Sequence, residues 1–325
     1  MIIKLFTQLV LASTLFQFFP ADMASMQARA TSTQPQERHF DLLAAYDSVG
    51  ARLPLAHNRA LAPVKNNPNS LGIVTGAQSA IVVDRKSKEE LFEKNIHESR
   101  AIGSITKLMT AYVFLEGSPN LDAQAVITSG DIRLGAPLHL PVGETFLARQ
   151  LLQASLVGSD NTATATLARL SGMNEGDFVA RMNEEAADMG MQDTTFDDTT
   201  GLSSKNRSVV MDIALMLDTI LENEIIQEIT QQSSVAVTGA SGRTYTIKST
   251  DELLATFVNQ SPYAIVGAKT GFLPEAGYGL GTIFSHEDAG EVIVVVLGSE
   301  SKDGRFQDVK SLAVWAYETF DWPGL

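Results

Sequence analysis

Cysteine is absent from this chain of 325 residues. That removes thiol nucleophiles, disulfides and cysteine-ligated zinc in one step, although it leaves the compartment open. Histidine is scarce: five are present, His39, His57, His97, His139 and His286, and none stands in an HExxH or HxH arrangement. A zinc hydrolase therefore has little to stand on, and neither metal nor cofactor is expected. Cations are in deficit as well. Against 38 Asp and Glu there are 24 Lys and Arg, a formal net charge of −14. Phosphate contact needs clustered Lys and Arg, so no nucleic-acid partner is expected, and docking on anionic lipid is disfavoured. The chemistry must come from Ser, Lys, Asp, Glu and Asn.

The N-terminus reads as a targeting segment. Lys4 gives a short basic start, Leu5 to Phe19 is largely apolar, Pro20 breaks the run, and Ala28-Arg29-Ala30 offers an A-x-A cleavage site. Thr7, Gln8, Ser13, Thr14 and Gln17 interrupt the apolar run, which makes it a poor membrane span. Residues 1–30 are expected to be a signal peptide, and the protein periplasmic or secreted without a stable membrane anchor. Residues 31–70, rich in Pro, Asn, Ser, Gln and Ala, read as a linker or N-terminal extension, with an amphipathic stretch near Phe40 to Tyr46 that suits a short helix. Residues 71–325 remain for the main domain.

Within it, Ser79 to Asp84 and Leu91-Phe92 flank a polar Arg-Lys-Ser-Lys turn and predict a hairpin. Ile105, Leu108, Met109, Tyr112 and Leu115 share one face of a helix. Further helices are expected over 145–157 and 161–170, separated by Gly158-Ser159-Asp160, then from Phe178 to Met189 and from Val209 to Leu221. From about Val235 the pattern turns to strands, with Ala264 to Thr270, Gly279 to Phe284 and Val292 to Leu297 as the clearest. A closing helix is expected from about Phe306 to Phe320. Strands at both ends and helices between them predict an α+β fold. One antiparallel sheet flanked by helices joins the two ends, a mostly helical lobe forms the middle, and the cleft between them is the natural site.

Three short motifs fall on this framework. Ser104-Ile105-Thr106-Lys107 puts a lysine amine one helical turn from a serine hydroxyl. A serine is a poor nucleophile without a base, and a lysine serves when burial lowers its pKa. A helix start would also lend Ser104 the positive end of its dipole. The bland alternative is an ordinary helix cap with Lys107 in solvent, and Ser299 with Lys302 repeats the spacing without any such context. Ser159-Asp160-Asn161 sits in the break between two helices, where Ser159 could pass a proton and Asn161 could both donate to and accept from an amide. Ser118-Pro119-Asn120 and Ser204-Lys205-Asn206 match the same spacing, and a helix cap is again the plain alternative. Lys269-Thr270-Gly271 ends an apolar strand. Lys269 offers a cation for a carboxylate, Thr270 a hydroxyl, and Gly271 room for a substrate backbone. Each motif alone is ordinary, but their order on a helix start, an inter-helix loop and a strand is that of penicillin-binding proteins and serine β-lactamases.

The segment Arg100-Ala101-Ile102-Gly103-Ser104-Ile105-Thr106-Lys107-Leu108-Met109-Thr110 resembles the nucleophile segment of the D-alanyl-D-alanine carboxypeptidase family, low-molecular-mass penicillin-binding proteins. Ser79 to Asn95 is similar to its opening hairpin, Phe196 to Leu217 to its central segment, and Lys269-Thr270-Gly271-Phe272 with Ala276-Gly277-Tyr278 to its strand and turn. The resemblance implies a serine-type peptidase acting on peptidoglycan stem peptides, with β-lactams as covalent inhibitors. It implies Ser104 as nucleophile, Lys107 as general base, and Ser159 with Lys269 as a proton relay. Asn161 would hold the substrate amide, Thr270 the carboxylate, and the N–H groups of Ser104 and Phe272 the oxyanion.

Two departures stand out. Asp160 occupies a position where many members have Gly. Only residues 272–325 follow Gly271, where carboxypeptidase members often continue into a β-rich domain and a membrane helix, so the short form is similar to the endopeptidase members. A class A β-lactamase shares the three motifs but needs a glutamate between the second and third, and Ala186 to Leu221 contains none. An esterase of the same fold, or a cell-wall-binding module with a vestigial site, is the other alternative.

Overall fold

The computed structural model describes residues 61–70, 72–135 and 139–323. The expected signal peptide and the amphipathic stretch near Phe40 lie outside them. Five strands form the central antiparallel sheet: β1 (Ser79–Asp84), β2 (Glu90–Lys94), β3 (Tyr263–Leu273), β4 (Gly277–His286) and β5 (Ala289–Ser299), in the spatial order β3-β4-β5-β1-β2. The early hairpin therefore joins the late strands through β5, with Val294 opposite Val82. Val64–Lys65, within the stretch read as linker, pairs with Phe320–Asp321.

Alternation along β5 shows why its centre is an unbroken apolar run. Val292, Val294 and Val296 face one core with Phe306, Val309, Leu312 and Ala316, while Ile293, Val295 and Leu297 face another with Ile105, Leu108 and Met109. Successive strand side chains point to opposite faces, and here both faces are covered, so no polar alternation survives.

The helices are α1 (Thr106–Glu116), α2 (Ala148–Val157), α3 (Asn161–Leu170), α4 (Glu175–Asp188), α5 (Val210–Ile220), α6 (Glu224–Thr230) and α7 (Lys302–Thr319). The last covers one face of the sheet, and the others build the lobe on the opposite face. The expected boundaries shift where capping decides them. Thr145–Leu147, expected in a helix, pairs with Gln124–Val126 as a strand, and α2 begins only at Ala148. Asn174 accepts from the N–H of Asp177 at 2.9 Å and starts α4 earlier than the apolar pattern does. Ser301 accepts from Gly304 N at 2.9 Å and likewise starts α7 at Lys302. The short α6, capped by Asn223, was not expected. No helix of the described residues is long and apolar enough to cross a membrane.

Candidate active site

Ser104 lies in a 3-10 turn, Gly103–Ile105, that leads into α1. It does not cap that helix. Its hydroxyl oxygen is instead 2.8 Å from Lys107 Nζ, which donates to Asn161 Oδ1 at 2.7 Å and to the Thr200 carbonyl at 2.6 Å. Lys107 is completely buried, so the solvent-exposed alternative is overturned. Burial pulls its pKa down to about 7, against the opposing charges of Asp198 and Asp160. The partner set suits a neutral amine. Its two hydrogens serve the two oxygens that can only accept, and its lone pair faces the one group able to donate, the Ser104 hydroxyl. An amine so placed can take the hydroxyl proton at neutral pH, which an ordinary lysine cannot.

Glycines let backbone close around this turn. Gly103 adopts φ +54°, and a Cβ there would lie 2.7 Å from Phe272 N and 2.9 Å from Phe272 O. A Cβ on Gly271 would reach 2.3 Å from the Ile102 carbonyl. On another side Gly201, at φ +86°, leaves only 2.0 Å between a built Cβ and the Gly103 carbonyl. The Gly201 turn is tied down by Asp198, whose carboxylate accepts from the N–H of Thr200 and of Gly201. Burial pushes the Asp198 pKa up, but hydrogen bonds from Ser203, Thr200 and Gly201 hold it below the usual carboxylate range. Gly201→Ala combines overpacking with a left-handed backbone and should destabilise the fold by about 2–4 kcal/mol. A urea titration checks this, and an unchanged midpoint would show that the turn relaxes away from Ser104.

Ser159 has φ +57°, a left-handed conformation that costs a non-glycine residue energy and recurs at functional sites. It turns the chain between α2 and α3 and presents its hydroxyl to Lys269 Nζ at 2.9 Å. The capping role belongs to Asp160, which accepts from Ala163 N at 2.9 Å and from His139 N at 2.9 Å. The aspartate that replaces the common glycine is thus a structural cap, and Asn161 beside it is left free to meet Lys107. The repeated spacings elsewhere do other work. Ser299 donates to Asp308 at 2.8 Å and Lys302 pairs with Glu252. Asn120 closes a local turn, and Asn206 accepts from the N–H of Asp197 and Asp198.

Lys269 on β3 is buried and also donates to the Thr270 carbonyl at 3.1 Å. Burial, with the charges of Lys107 and Arg305, lowers its pKa well below the lysine range, and Asp251 opposes this. The Thr270 hydroxyl lies 2.7 Å from that of Thr250. A cleft of about 360 Å³ runs along these residues, lined by Ser104, Ser159, Thr250, Thr270, Phe272 and Arg305 among others. The three motifs, distant in sequence, therefore meet in one place. Thr250, Asp251, Arg305 and Asp198 belong to the same assembly and were missed. Arg305 had a signal: it falls on the buried stripe of α7 with Val309, Leu312 and Ala316, where a charge is out of place. It donates to the Gly271 carbonyl at 3.1 Å and stacks over Phe306 and Tyr278.

Comparison with known proteins gives a consistent picture. The peptidase family described as D-alanyl-D-alanine carboxypeptidase matches residues 66–301. A D-alanyl-D-alanine endopeptidase of Haemophilus influenzae is 34% identical over 238 residues, covering 72% of this chain and 80% of that protein. A D-alanyl-D-alanine carboxypeptidase of Bacillus subtilis is 26% identical over 254 residues, covering 75% of this chain and 63% of that one. The crystal structure of a Streptomyces DD-transpeptidase superposes with TM-score 0.69 at 25% identity, over 76% of this chain and 99% of that one.

Proposed function

The chain belongs to the D-alanyl-D-alanine carboxypeptidase family of serine peptidases, and from that premise we propose how its residues divide the work. It is a D-Ala-D-Ala peptidase acting on peptidoglycan peptides. Ser104 Oγ attacks the carbonyl carbon of a D-alanine while its proton passes to Lys107 Nζ. The C–N bond breaks, and the leaving amine carries off that proton, relayed from Lys107 by way of Ser159 and Lys269, so that Lys107 is neutral again. Water then cleaves the ester and restores Ser104. Asn161 holds the substrate amide, and Thr270 with Arg305 receives the carboxylate. The N–H groups of Ser104 and Phe272, on backbones drawn together by Gly103 and Gly271, receive the oxyanion. The observation that carries this reading is the buried Lys107 amine, 2.8 Å from Ser104 Oγ with its other two partners both acceptors.

On substrate choice we favour cross-linked peptides, so that the enzyme works as an endopeptidase. The support is the 34% identity to a D-alanyl-D-alanine endopeptidase, against 26% to a carboxypeptidase. Digestion of purified dimeric muropeptides, with products separated by mass, tests this. Dimers are expected to fall to monomers; free D-alanine with dimers left intact would assign the carboxypeptidase activity instead. Since peptidoglycan lies outside the cytoplasmic membrane, the basic-then-apolar start from Lys4 to Phe19 fits export to the periplasm or beyond.

A further inference from the structure

On the side of Thr270 and Arg305, the wall of the cleft is completed by Lys248, Ser249, Thr250, Glu252 and Lys302, none of which the steps above employ. The Thr250 and Thr270 hydroxyls, 2.7 Å apart, hold the 248–252 segment against β3. Lys302 opens α7 one turn before Arg305, so the two share a side of that helix. Glu252, in the turn that follows the segment, reaches across to pair with Lys302. This is the lysine of the repeated Ser-x-x-Lys spacing, which had no chemistry of its own.

Among the described residues that line the cleft, Lys248, Lys302 and Arg305 face a single acid, Glu252. In a chain of net charge −14 this is a local reversal of sign, and a cleft of one sign draws in the opposite charge. One substrate carboxylate, received by Thr270 and Arg305, does not use it up. The Lys302 and Glu252 side chains are 53% and 51% exposed. An ion pair so open to water is weak and exchanges its partner readily, so Lys302 is available to a second carboxylate. A terminal D-alanine brings none, because it leaves with a methyl side chain. A cross-link does: its leaving amine belongs to a residue whose side chain continues into a second stem peptide, with carboxylates of its own. With the carboxylate beside the scissile bond held by Thr270 and Arg305, the remainder of that leaving half starts next to Lys302.

We propose that Lys302 is a specificity residue that takes a carboxylate of the second stem, and so favours cross-linked peptides over terminal D-alanine. The inference rests on the cross-link reading above. Glu252 holds Lys302 until substrate arrives and competes with the substrate for it, and Lys248 adds to the attracting field.

The test measures two rates for each enzyme: cleavage of a synthetic cross-linked peptide dimer, and release of D-alanine from a monomeric pentapeptide. Lys302→Gln should lower kcat/KM for the dimer relative to the monomer by about tenfold, with the loss in KM. Glu252→Gln, which frees Lys302, should raise the same ratio by about two- to threefold. A dimer whose second-stem carboxylates are amides, with the one beside the scissile bond left free, should be cleaved alike by the wild type and Lys302→Gln. Thermal unfolding checks that both variants are folded, and if one is not, the other decides. An unchanged ratio in the variants, or a Lys302→Gln loss that persists on the amide dimer, overturns the proposal. A wild type that releases D-alanine and leaves the dimer intact would instead overturn the cross-link reading itself, and the role of Lys302 with it.

Discussion

Ser104→Ala is expected to bring turnover of D-alanyl peptides to background, and Lys107→Ala to do nearly the same, each losing at least about 10³-fold in kcat. The reason is the division of labour proposed for the site. The Ser104 hydroxyl is not nucleophilic at neutral pH by itself, and Lys107 is the amine within reach of its proton. Residues that act as one unit lose function once, so the double variant should be little worse than either single. Lys107→Arg sharpens the test. It keeps the long polar side chain but fixes it as a cation, since a guanidinium stays protonated at any working pH and cannot be the base. Loss equal to that of Lys107→Ala would show that the neutral amine is what matters. With the Lys107 pKa lowered to about 7, wild-type activity should rise as pH passes upward through that value. The amine is neutral above it, whereas a lysine of ordinary pKa would still be charged. Near-wild-type activity in Ser104→Ala would remove the assignment.

The candidate site was legible because its parts sit where local pattern is strong. The helix of Ile105, Leu108 and Met109 placed Ser104 and Lys107 on one turn, and the apolar run ending at Lys269 placed the third motif on a strand. The order of the three motifs did the rest. What the pattern could not supply was burial. Lys107, Ser159 and Lys269 are polar residues enclosed by segments far away in the chain, and only the meeting of the Thr200 turn, α3 and β3 shows that Lys107 is dry. Asp251 had no signal, since a Ser-Thr-Asp run before a short 3-10 turn reads as a loop cap. Arg305 had one in the stripe of α7, but Ser301 starts that helix a turn before the apolar period becomes visible. Thr145–Leu147 fails the other way: its apolar residues suit either structure, and pairing with Gln124–Val126 decides.

Penicillin is expected to label Ser104 covalently and to leave slowly. A β-lactam presents a strained amide beside a carboxylate, similar to an acyl-D-Ala-D-Ala end. Thr270 and Arg305 line the cleft where that carboxylate would sit, and the Ser104 hydroxyl is placed to open the ring. Opening breaks the C–N bond but keeps the amine tethered to the acyl group, so it stays in the path of the incoming water. A peptide substrate has no such tether: its amine departs, and water takes its place beside Lys107. Escape from the tethered adduct needs a second base that can reach water from another side. The carboxylates close to Lys107 are committed elsewhere. Asp198 is engaged by Thr200, Gly201 and Ser203, and Asp160 by Ala163 and His139. Glu252, on the cleft wall, is paired with Lys302. Absence of a positioned base slows hydrolysis by about 10²–10⁴-fold, which is about 3–5 kcal/mol in the barrier. A fluorescent penicillin should therefore give a band that survives denaturing electrophoresis and is missing in Ser104→Ala. Rapid turnover of penicillin with no trapped adduct would mean that one of these carboxylates frees an oxygen for water, and would move the chain toward the β-lactamases.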